Sequence, residues 1–282
     1  MTDDLLPARP MPAPQMPARQ MPANRTPAHR SRADLPQDDL SAFLIQPAPS
    51  AARPLQGLTV LLVEDSRFAS EAMRLLCLRS GARIRRADSL RAAHRHLATY
   101  RPSVVIVDMG LPDGSGADLI AELAAMQPRV QVILGTSGSD DLEPLALEAG
   151  ADGFLSKPVE SLALFQRAVL AALPPAQRPT GPRALTGEIV QPDRLALRED
   201  LALAAGLLAG EGGSDGAAPP GAEAIDYVAR FLGGVARISH DRALADAATA
   251  LQRDRATGRE IQADLSSLSR LVQARLAGGS PI

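Results

Sequence analysis

From Leu58 onward the chain alternates short, wholly apolar runs with longer segments whose apolar residues recur every three to four positions. Leu58–Val63 (LTVLLV) and Ser103–Val107 (SVVIV) have no polar alternation, the pattern of strands covered on both faces. Shorter strands are predicted at Ala82–Arg86, Val130–Leu134 and Gly153–Ser156. Between them lie helical spacings. The first, Ser66–Arg79, carries Phe68, Ala72, Leu75 and Leu76 on one face and closes at Ser80-Gly81. A second runs from a cap at Asp88 or Ser89 to Tyr100. A third ends near Met126, a fourth runs from Asp140 to Gly150, and a fifth from Ser161 to Leu173. The result is a (βα)5 unit, an α/β doubly wound parallel sheet with helices on both faces.

The pattern changes on either side of this unit. Residues 1–54 hold 11 of the 24 prolines and a repeat every fifth residue, MPAPQ-MPARQ-MPANR-TPAHR. Proline at that spacing removes amide donors and blocks helix and sheet, so a disordered tail is expected. One apolar patch, Leu40–Ile45, interrupts it and is read as transient structure, with a partner-docking motif as the alternative. Residues 55–175 form the α/β domain, 176–191 a Pro-rich linker, and 192–279 a small all-α bundle. Within the bundle, Asp193–Leu208 is Ala-rich and apolar. Ala222–Ile238 places Ile225, Val228, Phe231, Leu232, Val235 and Ile238 on one stripe. Asp241–Leu251 and Gly258–Leu276 complete it.

Composition narrows the function classes. Five Phe, two Tyr and no Trp argue against a base-stacking surface. The single cysteine, Cys77, excludes an intramolecular disulfide and any multi-cysteine metal site, and its helical position suits the core. Basic and acidic residues number 6 and 5 before Leu55, 12 and 14 in the α/β domain, and 12 and 13 beyond it. With no basic segment, neither nucleic acid nor an anionic membrane is an expected partner. No apolar run reaches spanning length and no signal-peptide pattern opens the chain, so a cytoplasmic location is expected. Among 30 Lys plus Arg the only lysine is Lys157. In an Arg-rich, GC-rich background, that singles out a position needing a compact ammonium rather than a guanidinium fork.

Chemistry-bearing residues cluster at predicted strand ends. Glu64 and Asp65 follow the first strand, Asp108 the third, Thr136 the fourth and Lys157 the fifth. A parallel sheet gathers these at its carboxyl rim, where ligands bind in such folds. Three carboxylates together repel one another, and a divalent cation such as Mg²⁺ removes the conflict. A hydroxyl and an ammonium beside a metal-bound carboxylate are the parts needed to hold a phosphoryl group, with Asp108 as its acceptor.

The arrangement resembles the receiver domain of two-component response regulators. The resemblance rests on LLVEDSRF (Leu61–Phe68), VVIVDMGLPDGSG (Val104–Gly116), VILGTSG (Val132–Gly138) and ADGFLSKPV (Ala151–Val159), in order and at the family's spacing. It implies Glu64, Asp65 and Asp108 as metal-site carboxylates, with Asp65 preferred as a direct ligand, and the carbonyl of Gly110 as a further ligand. It implies Asp108 as phosphoacceptor, Thr136 and Lys157 as phosphoryl partners, Phe154 as the aromatic switch, and a cis bond before Pro158. The implied activity is a phosphoacceptor switch, at most catalysing its own phosphorylation and dephosphorylation. The phosphoryl donor would be a histidine kinase or phosphotransfer protein, and the output a protein-binding or dimerising helical domain, with a homodimer through either domain. The alternatives are a phosphate sink or adaptor, and a DNA-binding transcriptional regulator. Gly135 departs from the family's usual apolar residue. Gly110 and Gly138 leave little bulk beside the acceptor, which suggests easy water access and a short-lived acyl phosphate.

Other motifs offer less. Asp113–Gly116 lacks the Gly-Lys-Ser/Thr ending of a phosphate-binding loop. His94 and His96 do not share a helix face. Arg83, Arg85, Arg86, Arg91 and Arg95 read as surface charge. His240 is no match for a phosphotransfer histidine, because Ala243 and Leu244 stand where that family has lysine and glycine.

Overall fold

The computed structural model describes residues 48–179, 187–210 and 221–278. The proline repeat and the Leu40–Ile45 patch lie outside these residues. Five strands, β1 (Thr59–Val63), β2 (Arg83–Ala87), β3 (Val104–Asp108), β4 (Val132–Ser137) and β5 (Gly153–Ser156), form one sheet in the order β2-β1-β3-β4-β5. Every neighbouring pair is parallel. The intervening helices are α1 (Arg67–Arg79), α2 (Leu90–Thr99), α3 (Gly116–Ala125), α4 (Glu143–Glu148, preceded by a 3₁₀ turn) and α5 (Leu162–Ala172). After β3 the chain folds into a two-residue-per-arm hairpin, Gly110–Leu111 against Gly114–Ser115.

The apolar runs are explained by a core on each face of the sheet. Val60 and Leu62 face Leu76, Cys77, Ile106, Phe165 and Val169. Leu61 and Val63 face Val105, Val107, Ile120, Leu123 and Ile133. Alternate residues of one strand feed opposite layers, so no polar residue fits either set. Cys77 is fully buried, and burial pushes its thiol up to about 12, an inert core residue. Serines cap three helix starts, Ser89 among them as expected. The hydroxyls of Ser66, Ser89 and Ser161 each accept an amide of the first turn. The Lys157–Pro158 bond is cis, as the resemblance implied, and so is Gln127–Pro128.

Three boundaries differ from expectation. Strand β4 runs on through Thr136 to Ser137, because pairing with β5 continues beyond the apolar run. The described end of the predicted linker belongs to the α/β domain. Glu188 and Val190 exchange backbone hydrogen bonds with Leu162 and Glu160, and Val190 is buried in the first core. The third difference lies in the bundle. Its four helices among the described residues are α6 (Arg194–Leu208), α7 (Ala222–Ile238), α8 (Arg242–Ala256) and α9 (Gln262–Ala277). Helix α8 continues past Leu251 through a polar turn that an apolar pattern does not register, and Arg255 in that turn pairs with Asp226 of α7 at 2.7 Å. A third core joins Leu201, Val228, Leu232, Val235, Leu251, Leu268 and Val272. A smaller cluster joins Phe68 and Ala69 of α1 to Ile238 of α7, with Ala196 and Leu197 of α6 against it. The bundle therefore packs on the start of α1, beside the carboxyl rim of the sheet.

Candidate functional site

Each candidate side chain reaches the rim because its strand ends there. Asp108 is the last residue of β3 and pairs in register with Thr136 of β4. Glu64 and Asp65 leave β1, and Lys157 leaves β5. Carboxylate oxygens of Glu64, Asp65 and Asp108 lie within 4.8 Å of one another. Lys157 Nζ stands 2.6 Å from Glu64 Oε2 and 3.0 Å from Asp108 Oδ2, with all three side chains largely buried. The amide of Ser66 donates to Asp65 Oδ1 at 2.9 Å and to Glu64 Oε1 at 3.2 Å, which fixes both carboxylates at the start of α1.

The electrostatics are those of an overloaded acidic site. Burial first, then the charges of Asp108 and Asp65, push the Glu64 carboxyl well above its usual range, against the pull of Lys157. Burial and Asp108 likewise raise Asp65. Burial alone would pull Lys157 down, but Asp108 and Glu64 more than offset it and hold the ammonium above its ordinary value. Three carboxylates against one ammonium leave an excess of two negative charges. A divalent cation bound by hard oxygen donors matches that excess, so the residues present fit a Mg²⁺ site. Receiver domains bind Mg²⁺ at such acidic residues, and bound there the ion neutralises charge on oxygens.

A cavity of about 330 Å³ opens above the cluster, lined by Glu64, Asp65, Asp108, Gly110, Ser137 and Lys157, among others. Thr136 is fully buried, and its hydroxyl donates to the carbonyl of Leu155 at 2.7 Å. In this arrangement Ser137, rather than Thr136, presents itself to the cavity. Phe154 is half-buried, and its ring edge would lie 3.0 Å from a Cβ added at Gly135, where Ala146 also crowds in at 2.8 Å. The glycine before Thr136 is thus a packing requirement of the Phe154 ring. Around Gly110 nothing stands within 4 Å of an added Cβ, so that flank is open as expected. The flank at Gly138 is not open, because the guanidinium of Arg237 fills it.

Several residues of this region escaped the pattern reading. Arg86, read as surface charge, donates from Nε to the Glu64 carbonyl at 3.1 Å and also binds the carbonyl of Asp65. Asp200 of α6 is buried and accepts from Ser66 Oγ at 2.7 Å, Arg67 N at 2.8 Å and Phe68 N at 3.0 Å, capping α1 from the bundle. Tyr227 of α7 donates its hydroxyl to Asp65 Oδ2 at 2.6 Å. Burial and the adjoining Asp65 charge hold that phenol above its usual value. A signal did exist: Asp200 sits on the apolar stripe Leu197, Leu201, Ala204, where a lone acid is out of place. His240 lies in the turn between α7 and α8, at φ 56°, with Nε2 3.2 Å from Glu160 Oε1. It does not join the acidic site. Among the described residues His94 pairs with Glu122, at 2.8 Å.

The sequence of this region is similar to known proteins. The family model described as the response regulator receiver domain matches residues 60–169. The KDP operon transcriptional regulatory protein KdpE of Escherichia coli is 34% identical over 99 residues, covering 35% of this chain and 44% of that protein. The probable transcriptional regulatory protein TcrX of Mycobacterium tuberculosis is 30% identical over 138 residues, 48% of this chain and 59% of that protein. A solved response regulator from Burkholderia pseudomallei, with a phosphorylated aspartic acid, calcium ion and citrate, is 30% identical. It covers 39% of this chain and 65% of that chain at a TM-score of 0.36. A CheY-like receiver domain from Methylobacillus flagellatus, also 30% identical, covers 36% of this chain and 88% of that chain at a TM-score of 0.33. Residues 60–169 are a response regulator receiver domain. The chain spans about half the length of the curated relatives it matches. No helix among the described residues is long and apolar enough to cross a membrane.

Proposed function

We propose that this chain is a phosphorylation-controlled switch in which Asp108 accepts a phosphoryl group from a histidine kinase or phosphotransfer protein. One observation carries the reading: Asp108 shares a single cluster with two further carboxylates and the chain's only lysine, each delivered by a strand end. A carboxylate oxygen of Asp108 attacks the phosphorus of a phosphohistidine. The P–N bond breaks, the imidazole leaves, and an acyl phosphate forms. Glu64, Asp65, Asp108 and the carbonyl of Gly110 would hold Mg²⁺. Lys157, already 3.0 Å from Asp108, stays to pair with a phosphoryl oxygen. Thr136 gives up its bond to Leu155 to donate to another, and that turn of the hydroxyl frees space toward which the Phe154 ring moves. The chain needs no chemistry beyond its own phosphorylation and dephosphorylation. The helical bundle is the output, engaging a protein or a second copy.

Transfer from an autophosphorylated kinase is the test. Label is expected on the parent with Mg²⁺, and neither after chelation nor on Asp108→Asn. A second reading has support in the names of the relatives, which are transcriptional regulators. Against DNA binding stands the charge of the chain beyond Ala176, 12 basic to 13 acidic residues. Salt-dependent retention of the full chain on duplex DNA would favour that reading.

A further inference from the structure

Helix α7 crosses the mouth of the acidic cavity. Arg230, Phe231, Gly234, Val235, Arg237 and Ile238 line one side of the cavity, and the receiver's Asp108, Ser137, Gly138 and Lys157 line the other. Arg230, Gly234 and Arg237 recur at helical spacing beside the stripe that builds the bundle core, so they form a separate edge of α7. Arg237 is the residue of this edge set against the phosphoryl pocket. Its guanidinium occupies the space a side chain at 138 would need, with Cζ and Nε 2.8 Å from the place of a Cβ. Its Nε is buried without a hydrogen-bond partner, and among the described residues the guanidinium makes no ion pair. Elsewhere in the bundle Arg255 and Arg275 are each paired with a carboxylate at 2.7 Å. A buried cationic donor left open costs free energy unless an anion completes it. The cavity beside it is where the acceptor carboxylate lies.

We propose that Arg237 is a phosphoryl ligand supplied by the helical domain, so that the bundle reads the phosphorylated state by direct contact rather than through a remote surface. The proposal rests on Asp108 as phosphoacceptor. A phosphoryl group on Asp108 brings charged oxygens into the cavity that Arg237 faces. A guanidinium fork suits them better than a point charge. Phosphorylation then tightens the contact between receiver and bundle, and Gly138 is the receiver residue that leaves room for it.

Beryllofluoride with Mg²⁺, a phosphoryl mimic, is the probe, added to the full chain and followed by ¹⁹F NMR. Arg237→Ala is expected to weaken binding about 10-fold, in line with the loss of a charge-assisted hydrogen bond, and to shift the bound fluoride resonances. Gly138→Ala, at a position with no left-handed backbone, displaces the guanidinium and is expected to give the same loss. The double variant is expected to lose no more than either alone. Arg242→Ala, which removes an exposed charge at the start of α8, is expected to bind like the parent. If Arg237→Ala fails to fold, the glycine variant carries the test. Parent-like binding by Gly138→Ala or Arg237→Ala, additive losses in the double variant, or an equal loss in Arg242→Ala would overturn the proposal. Absence of binding to the parent itself would instead remove the phosphoacceptor reading beneath it.

Discussion

The receiver and the helical bundle build one site by different rules. In the receiver, Glu64, Asp108, Thr136 and Lys157 are far apart in sequence, yet each marks the end of a strand. A parallel sheet must bring such positions to one rim, whatever the details of packing. In the bundle, Asp200, Tyr227 and Arg237 lie on helix faces. They meet the receiver only because those faces dock there. Strand ends are a local property of the chain, while the choice of docked face is a property of the assembled fold. The difference teaches that a phosphoacceptor site is written into the α/β pattern and its cover is not.

The largest effect that can break this comparison is at Lys157. Lys157→Met removes the one ammonium facing buried carboxylates and is expected to cost about 3–5 kcal/mol in urea unfolding at neutral pH, with Mg²⁺ restoring part of it. No loss would mean that the acidic rim is not electrostatically strained. Next comes Asp200→Ala, which strips three hydrogen bonds from the start of α1. About 2–3 kcal/mol is expected, with a smaller loss in Asp200→Asn, which keeps an acceptor. Receiver and bundle should still unfold in one transition in the parent. Two separate transitions would show the regions to be independent. Tyr227→Phe deletes the 2.6 Å bond to Asp65 and should cost about 1–2 kcal/mol by the same assay.

The smallest effect belongs to the bundle alone. Asp241 caps α8 through Leu244 N at 3.1 Å and binds Arg275 at 2.7 Å. Burial tends to raise its carboxyl, but Arg275 and the capped amides outweigh that and hold it below the usual range. A depressed folded value means that its contribution is complete above the ordinary carboxylate value of about 4 and is lost as pH falls through the folded value. Asp241→Ala should therefore cost about 1 kcal/mol at neutral pH and show a weaker loss of stability in acid than the parent. Parallel acid curves would contradict the assignment.

How much of this was legible follows from the same division. The apolar runs at Leu58–Val63 and Ser103–Val107 require two covered faces, and both faces are filled. The strand-end acids and Lys157 were read in place because each is adjacent to its run. Thr136 is expected as a phosphoryl partner, and the hydrogen bond of its hydroxyl to Leu155 is not visible in the sequence, because β4 continues three residues beyond its apolar run. Val190 looked like linker because one valine among prolines carries no periodicity, and only tertiary packing shows that it completes a core. Arg86 looked like surface charge because its partners are backbone carbonyls, which leave no mark in a sequence. Tyr227 and Arg237 lie beside the apolar stripe of α7, where residues for a second partner are indistinguishable from a broad core face.

The most direct measurement is the intact mass of the full chain after incubation with acetyl phosphate and Mg²⁺. The account predicts one added phosphoryl group on the parent, and none on Asp108→Asn or in the presence of a chelator. An added group on Asp108→Asn, or a parent that never gains one, would contradict it.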